Sequence, residues 1–210
     1  MTIGGKQFIF LGPQGSGKGT QAKIFAQKLG VPHISTGDIF RDNIGRQTEL
    51  GQKIDGILKS GQLVPDDITN QLIKARLSQS DAATGFILDG YPRNLAQADF
   101  LFNLKPEAIA VCIDLTDEEA VKRISGRRMS LATGAIYHLD FNPPPANLPP
   151  DDLIQRPDDT EVAVRQRLNI YHLETEPLLE FYRSKQKLIT VDGSPPIEAV
   201  TDELIKVLLP

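Results

Sequence analysis

Short apolar runs rich in β-branched and aromatic residues recur along the chain and end at or near a glycine or an acidic residue. They lie at 7–12, 85–90, 108–115 and 187–193, and "HIS" at 33–35 adds a short fifth. Continuous apolar runs of this length are typical of strands buried on both faces of a parallel sheet. Segments with helical periodicity alternate with them, at 18–29, 68–79, 116–127, 161–183 and 196–209. The alternation predicts an α/β fold in which helices cover both faces of a five-stranded parallel sheet.

Two segments interrupt this alternation. Residues 36–64 contain polar helical stretches broken by glycines and no apparent strand, which indicates a small helical insert. Residues 128–160 include "TGAIYHLDFNPPPANLPPDD", whose prolines make a poor core element and favour a separate flap. Alternatively, the proline-rich part is a polyproline II ligand for the aromatic groove of a partner.

Composition narrows the classes of function. The chain has 210 residues, of which 40% are hydrophobic and 24% charged, so we expect one principal domain with small inserts. The formal charge of −4 argues against general binding to nucleic acid or to membrane surfaces. Cys112 is the only cysteine, which excludes an intramolecular disulfide and a cysteine-based zinc cage. With no signal-like or membrane-spanning apolar run apparent, we expect a cytoplasmic protein.

The stretch "GPQGSGKGTQ" at 12–21 is the strongest local signal. Its glycines allow backbone N–H groups to surround an anion, and the helix that follows adds its positive end. In the pattern G-x-x-x-x-G-K-[ST], a hydroxyl directly after the lysine binds magnesium. Here Lys18 is followed by Gly19 and only then by Thr20. The segment is therefore either a different kind of phosphate site or a glycine-rich turn without a ligand.

The longer stretch "GPQGSGKGTQA" resembles the nucleotide-binding loop of adenylate kinases and related nucleoside monophosphate kinases, G-x-P-G-x-G-K-G-T, in which glycine after the lysine is normal. Gln14 stands where that family usually has proline. The resemblance extends over nearly the whole chain and implies a three-layer P-loop NTPase fold. It implies a core of 1–34, 65–125 and 165–210, an NMP-binding insert at 35–64 and a lid at 126–164. The implied ATP-binding residues are Gly15, Ser16, Gly17, Lys18, Gly19, Thr20, Arg127, Ile136, Tyr137 and Pro195.

Three further stretches, "HISTGDIFR", "SGQLVPD" and "GFILDGYPRNLAQA", match the same family. Taken alone, Ser35 to Asp38 cap a helix with Arg41 one turn inside it, and Asp89 either caps a helix or holds magnesium-bound water. The planar guanidinium of Arg93 can bind a phosphate through two hydrogen bonds. The resemblance implies an AMP site of Thr36, Arg41, Gln62, Leu63, Val64, Gly90, Tyr91, Pro92, Arg93, Gln97, Arg156 and Arg167, with Asp38 and Asp89 in the outer shell of Mg²⁺.

Arginines flank the proline-containing flap in "KRISGRR" and "RPDDTEVAVRQRL". Taken singly, they are typical of surface ion pairs with Asp158, Asp159 and Glu161. However, an acidic protein that brings two nucleotides together needs concentrated local cations. The resemblance implies that the catalytic cations are Lys18, Arg93, Arg123, Arg127, Arg156 and Arg167.

Some members of the family stabilise this flap with four cysteine-type zinc ligands, others with a polar hydrogen-bond network. The spacing of His138, Asp140, Asp151 and Asp152 fits no standard zinc pattern, so we expect no structural zinc. Of the polar network, only Ser130 and Thr133 are apparent in the sequence.

The predicted function is reversible phosphoryl transfer from Mg·ATP to AMP by a monomer whose partners are ATP, AMP and ADP, with nucleotide homeostasis and AMP salvage as the role. One alternative is a kinase for UMP or CMP, or one that uses GTP as donor, although Thr36 and Gln97 favour AMP. Another is a nucleotide-binding regulator that closes on its ligands without chemistry.

Overall fold

The computed structural model describes residues 6–59, 64–155 and 159–209, and at 58–59 the backbone alone. A five-stranded sheet consists of β1 (Lys6–Leu11), β2 (His33–Ser35), β3 (Gly85–Asp89), β4 (Ile109–Asp114) and β8 (Leu188–Asp192). Its order is β2-β3-β1-β4-β8, and all pairs are parallel. The predicted five-stranded parallel sheet is therefore confirmed.

Successive side chains of a strand point to opposite faces of the sheet, and here both faces are apolar, so helices cover both of them. Phe8 and Phe10 of β1 belong to one buried apolar cluster, whereas Ile9 and Leu11 belong to another. The helices of the core are α1 (Lys18–Leu29), α4 (Asp66–Leu77), α5 (Leu95–Leu104), α6 (Asp117–Ser125), α7 (Glu161–Ile170), α8 (Pro177–Ser184) and α9 (Ile197–Leu208).

The predicted helices differ from the observed ones in two places. The long pattern at 161–183 is divided into α7 and α8 by a π-helical segment, Tyr171–Thr175, and Pro177 stands in the first turn of α8. Helix α5 is absent from the predicted set, although Asn94 accepts a hydrogen bond from the Gln97 amide as its N-cap. An asparagine N-cap was thus the sequence signal that could have located α5.

The two interrupting segments have structures of their own. Residues 36–59 form α2 (Thr36–Gly45) and α3 (Glu49–Lys59), which pack round a separate cluster of Phe40, Ile54 and Val64. Residues 127–154 contain β5 (Arg127–Ser130), β6 (Ile136–His138) and β7 (Leu153–Ile154), an antiparallel sheet of order β6-β5-β7. Within the described ranges, no helix combines the length and apolar character needed to cross a bilayer.

Register brings the candidate residues to one edge of the main sheet. Phe10 pairs with Asp89, and Ser35 also pairs with Asp89. The segments that follow β1, β2 and β3 therefore start side by side at the carboxyl ends of the strands, where open α/β sheets bind ligands.

Candidate functional site

The glycine-rich stretch is a loop between β1 and α1. Gly12 has a φ of 133°, and a Cβ there would lie 2.2 Å from the carbonyl oxygen of Ile113, so only glycine fits. Gly17 has a φ of 86° at the N-cap of α1 and offers no side chain to the first helical turn. The buried Ser16 hydroxyl has no hydrogen-bond partner among the described residues. Donors at the start of α1 are thus available to an anion, as phosphate sites at helix N-termini require.

Gly19, in place of a magnesium-binding hydroxyl, is explained by Asp89. A Cβ at Gly19 would lie 3.2 Å from Oδ2 of Asp89, which is tighter than ordinary contact. Any larger residue after Lys18 would crowd this carboxylate. Glycine therefore leaves room beside Asp89, whose hard carboxylate oxygens suit magnesium and its bound water. The residues present fit a Mg²⁺ ion carried by ATP.

Three arginines from distant segments lie near Lys18 of this loop. Loss of hydration lowers the pKa of Lys18 to about 8, with Asp89 opposing and Arg93, Arg167 and Arg127 adding to the decrease. The Lys18 ammonium donates to the Pro13 carbonyl at 3.0 Å. Positive charge from three arginines near one lysine is unfavourable in an empty site and favours the binding of a polyanion.

The pKa values of Arg93 and Asp89 are lowered as well. Solvent reaches the Arg93 side chain, yet protein atoms crowd its guanidinium, and this desolvation with the nearby Arg167 lowers its pKa. Desolvation acts to raise the pKa of Asp89, but His33 and Lys18 together hold it below its usual value. The Asp89 carboxylate lies 3.6 Å from Nε2 of His33. Asp89 is no helix cap, since the next helix, α5, is capped by Asn94.

The turn after β3 gathers several of the predicted AMP-binding residues. Thr36 donates its hydroxyl to the Gly90 carbonyl at 2.9 Å, and Nε of Arg93 donates to the same oxygen at 2.9 Å. The Arg93 amide donates to Oε1 of Gln97 at 2.8 Å. Thr36 and Gln97 are 2% and 4% exposed, and Tyr91, joined to Pro92 by a cis peptide bond, is buried. The structure therefore brings residues 36, 90–93 and 97 together.

The helical insert supplies the other predicted acceptor-side residues. Ser35 caps α2 by accepting from the Asp38 amide, as expected. Arg41, one turn later, forms an ion pair with Asp38, and both side chains are more than half exposed. Val64 is buried in the apolar cluster of the insert. Gln62 and Leu63 lie outside the described residues.

The flap arginines have clear partners. Arg123 donates to the carbonyls of Gly193 and Ser194 at 2.8 and 2.7 Å and pairs with Glu119 at 2.8 Å. It therefore braces the loop that leads to the predicted ATP contact at Pro195. Arg127 forms a two-point ion pair with Asp159.

The Asp159 carboxylate is fully buried, so its pair with Arg127 differs from the surface pair that the spacing alone suggested. Ile136 is 43% exposed on β6 beside the half-buried Tyr137. Arg156 lies outside the described residues.

The predicted lid contains one polar residue whose role the sequence did not reveal. Asp152, considered only as a metal ligand, accepts from the Ser130 hydroxyl at 2.5 Å and from the Ala132 amide at 2.8 Å. Thr133 donates its hydroxyl to Ser130 at 2.9 Å. These bonds, the one from Ser130 first, lower the pKa of Asp152. The polar network is therefore more complete than Ser130 and Thr133 alone.

The other metal-ligand candidates of the predicted lid do not form a metal site. His138 accepts through Nδ1 from the amides of Asp140 and Phe141 at 2.9 and 3.1 Å, so it stabilises a turn. In the part of the chain that the structure describes, no three His, Cys, Asp or Glu side chains are placed to hold a metal ion.

Gln14 has a role that the loop pattern did not indicate. Its amide donates to the Val164 carbonyl of α7 at 2.9 Å. A Cβ at the neighbouring Gly15 would lie 3.1 Å from the Ala120 carbonyl of α6. The phosphate loop is thus held against α6 and α7, the helices on either side of the predicted lid, and the Gln14 hydrogen bond ties the loop to α7.

Comparisons with known proteins agree with this site. The sequence model of the family described as Adenylate kinase matches residues 10–187. An adenylate kinase of Thermosipho melanesiensis is 46% identical over 209 residues, 95% of this chain and 98% of that protein. One of Methanocella arvoryzae is 46% identical over 208 residues, 94% and 96% of the two chains. One of Fusobacterium nucleatum is 43% identical over 205 residues, which cover 95% of this chain and 97% of that protein. Similarity of this extent, together with a phosphate loop and a cation cluster at the carboxyl edge of the sheet, shows that the chain belongs to the adenylate kinase family.

Proposed function

We propose that this chain transfers the terminal phosphoryl group of Mg·ATP to AMP, and catalyses the reverse reaction between two ADP molecules, through the residues gathered round Lys18. As a member of the family, the chain is a phosphotransferase with the P-loop NTPase fold. The observation that carries the assignment of residues is the cluster of Lys18, Arg93, Arg127 and Arg167 beside the loop. Loss of hydration first, and then the charges of the three arginines, lower the pKa of Lys18 to about 8.

On the donor side, the loop residues 15–20 bind the ATP phosphates through their backbone amides and the Thr20 hydroxyl, and Lys18 reaches the phosphates that are being separated. Arg123 holds the loop before α9 beside the adenine base of ATP. The other neighbours of that base are Ile136, Tyr137 and Pro195. Arg127 brings further positive charge from the lid. Transition-state charge spreads over the phosphoryl oxygens, and one well-placed arginine contributes about 10³–10⁵ in rate in related enzymes.

On the acceptor side, Arg93 binds the AMP phosphate. Its backbone N–H donates to Gln97 and its Nε donates to the Gly90 carbonyl, so both the backbone and the guanidinium are held in place for this role. Arg41, Arg156 and Arg167 complete the phosphate site, and Thr36 and Gln97 lie beside the base with residues 62–64. In this proposal, residues 35–64 and 126–164 are the acceptor insert and the lid, which close over both nucleotides and exclude water before transfer.

Magnesium, when bound with ATP, neutralises phosphate charge. Asp89 would hold its water ligands, and Asp38 would assist from α2. The protein itself positions the two nucleotides and supplies fixed charge, so it needs no covalent intermediate. The proposal includes a monomeric, cytoplasmic enzyme without structural zinc or a nucleic-acid partner. It includes nucleotide homeostasis and AMP salvage as the role.

Initial rates with each nucleoside monophosphate against ATP and GTP test the reaction. We expect ADP formation from ATP and AMP, and equal rates with UMP would refute the assignment of AMP. Lys18→Met tests the chemistry: we expect it to remain folded and to lose ADP formation. A wild-type protein that binds both nucleotides without turnover would instead be a regulator.

A further inference from the structure

The acceptor side contains a side-chain amide whose orientation is fixed by two neighbours of opposite hydrogen-bonding character. Oε1 of Gln97 accepts from the Arg93 backbone amide at 2.8 Å, and Nε2 of Gln97 donates to the Asp66 carboxylate at 2.6 Å. A backbone N–H can only donate and a carboxylate can only accept. The neighbours therefore assign oxygen and nitrogen of this amide without ambiguity.

Asp66 is itself held in place. Nδ2 of Asn94 donates to both Asp66 oxygens, at 3.0 and 3.1 Å, and Oδ1 of Asn94 accepts from the Gln97 amide N–H at 2.9 Å. The first turns of α4 and α5 are thus joined through these side chains. Because Gln97 is only 4% exposed, water cannot readily replace a partner that is lost.

A fixed amide distinguishes two classes of purine. Each group of the Gln97 amide uses one of its two hydrogen-bonding positions on the protein, so one acceptor position on Oε1 and one donor on Nε2 remain. Adenine presents a 6-amino donor beside the N1 acceptor, which matches this order. A 6-oxopurine presents an oxygen acceptor beside an N1–H donor, which reverses it. To bind a 6-oxopurine, the amide must rotate, and then two donors meet at Arg93 and two acceptors meet at Asp66.

We propose that Asp66 is a positioning residue for base selection, which fixes the Gln97 amide in the orientation that accepts from 6-aminopurine nucleotides and rejects 6-oxopurine nucleotides. This inference rests on the proposed function, because it assumes that Gln97 faces the acceptor base. It goes beyond it by assigning selectivity to a carboxylate that does not touch the nucleotide.

The test compares kcat/KM for AMP and for IMP in the wild-type protein, Asp66→Ala and Asp67→Ala. Asp67 is the matched control, since it is an exposed carboxylate in the same first turn of α4. Asp67→Ala removes one negative charge from the same turn of the same helix, as Asp66→Ala does. We expect Asp66→Ala to reduce the AMP-to-IMP ratio roughly tenfold or more, the discrimination carried by one hydrogen bond to a charged group. Asp67→Ala should keep the wild-type ratio, and Asp66→Glu, which retains the acceptor, should recover part of it.

The outcomes separate this inference from the reaction itself. If Asp66→Ala changes the rates with AMP and IMP by the same factor, Asp66 is merely structural and the inference is overturned. A wild-type protein that uses AMP and IMP equally well also overturns it, while leaving the phosphotransferase proposal intact. A wild-type protein that transfers phosphoryl groups to neither nucleotide refutes the proposed function instead. Should Asp66→Ala fail to fold, as judged by thermal unfolding, Asp66→Asn keeps the shape and is expected to give a smaller decrease in the same ratio, and an unchanged ratio overturns the inference.

Discussion

Lys18, which we propose is catalytic, is expected to destabilise the ligand-free protein. Its pKa is lowered from 10.5 to about 8, mainly by loss of hydration. At about 1.4 kcal/mol per pKa unit, this decrease corresponds to at most about 3–4 kcal/mol, and the partial exposure of the side chain reduces that figure. Lys18→Met also removes the hydrogen bond to the Pro13 carbonyl, which costs about 1 kcal/mol. The cost of holding the charge in the site is larger than the contribution of this hydrogen bond, so we expect the variant to be more stable at pH 7 by about 1–2 kcal/mol.

The dependence on pH follows from the direction of this change. Below pH 8 the ammonium is charged in both folded and unfolded chains, and the full cost of holding it in the site is present. Between pH 8 and 10.5 the unfolded chain binds more protons than the folded one, so wild-type stability rises relative to the variant. The advantage of Lys18→Met should therefore shrink as the pH approaches 10.

Urea unfolding of the nucleotide-free proteins at pH 7 and near pH 10 measures this difference. With a slope of about 2 kcal/mol per molar urea, the midpoint of Lys18→Met should rise by roughly 0.5–1 M at pH 7. Lys23→Met is the control, because Lys23 is exposed on the same helix. A midpoint for Lys18→Met equal to or below that of the wild type at pH 7 would refute the reasoning, as would an advantage that grows with pH.

Three further changes test contacts round the site. Asp152→Asn should speed hydrogen exchange in residues 127–154 at neutral pH. The pKa of Asp152 is lowered in the folded chain, so its carboxylate stabilises the fold above the pKa of the unfolded chain. The difference between variant and wild type should therefore vanish as the pH falls and the carboxylate becomes protonated. Equal exchange at pH 7 would contradict this role. Gln14→Leu should lower the free energy of unfolding by about 1 kcal/mol through loss of the bond to Val164, and Gln14→Glu, which cannot donate, should fail to restore it in urea unfolding. Thr175→Val removes the hydroxyl that donates to the Arg93 carbonyl at 2.9 Å and should raise KM for AMP by about fivefold with little change in kcat, whereas Thr175→Ser keeps the wild-type KM.

The parts of the fold that the sequence predicts are those with local physical causes. The apolar runs locate the strands because burial on both faces leaves few polar residues in them, and the positive φ values of Gly12 and Gly17 are properties of the loop backbone itself. By contrast, the π-helical segment between α7 and α8 was not predicted, because the apolar pattern of the sequence over 161–183 gave no sign of a break in the helix.

Contacts between distant residues explain what the sequence could not indicate. Gln14 and Val164 are 150 positions apart, and Ser130 and Asp152 are 22 apart. Nothing in either local stretch specifies the partner. The loop pattern drew attention to Gln14 at a position where the family usually has proline, and not to the hydrogen bond that its side chain makes with Val164. Site residues that act through partners, as Asp66 does through Gln97, were missed for the same reason.

Arg127 and Asp159 show how a structural ion pair and a phosphate-binding role fit together. Asp159 is fully buried, and removing the partner of a buried charge costs about 3–5 kcal/mol. If Arg127 left Asp159 to reach a phosphate, most of the gained interaction would be offset. The guanidinium has five N–H donors, and Asp159 engages its Nε and Nη2 groups, so other donors remain. If Arg127 binds phosphate as we propose, Asp159 would hold it in place rather than compete with phosphate, and the buried ion pair would be part of the site's preorganisation.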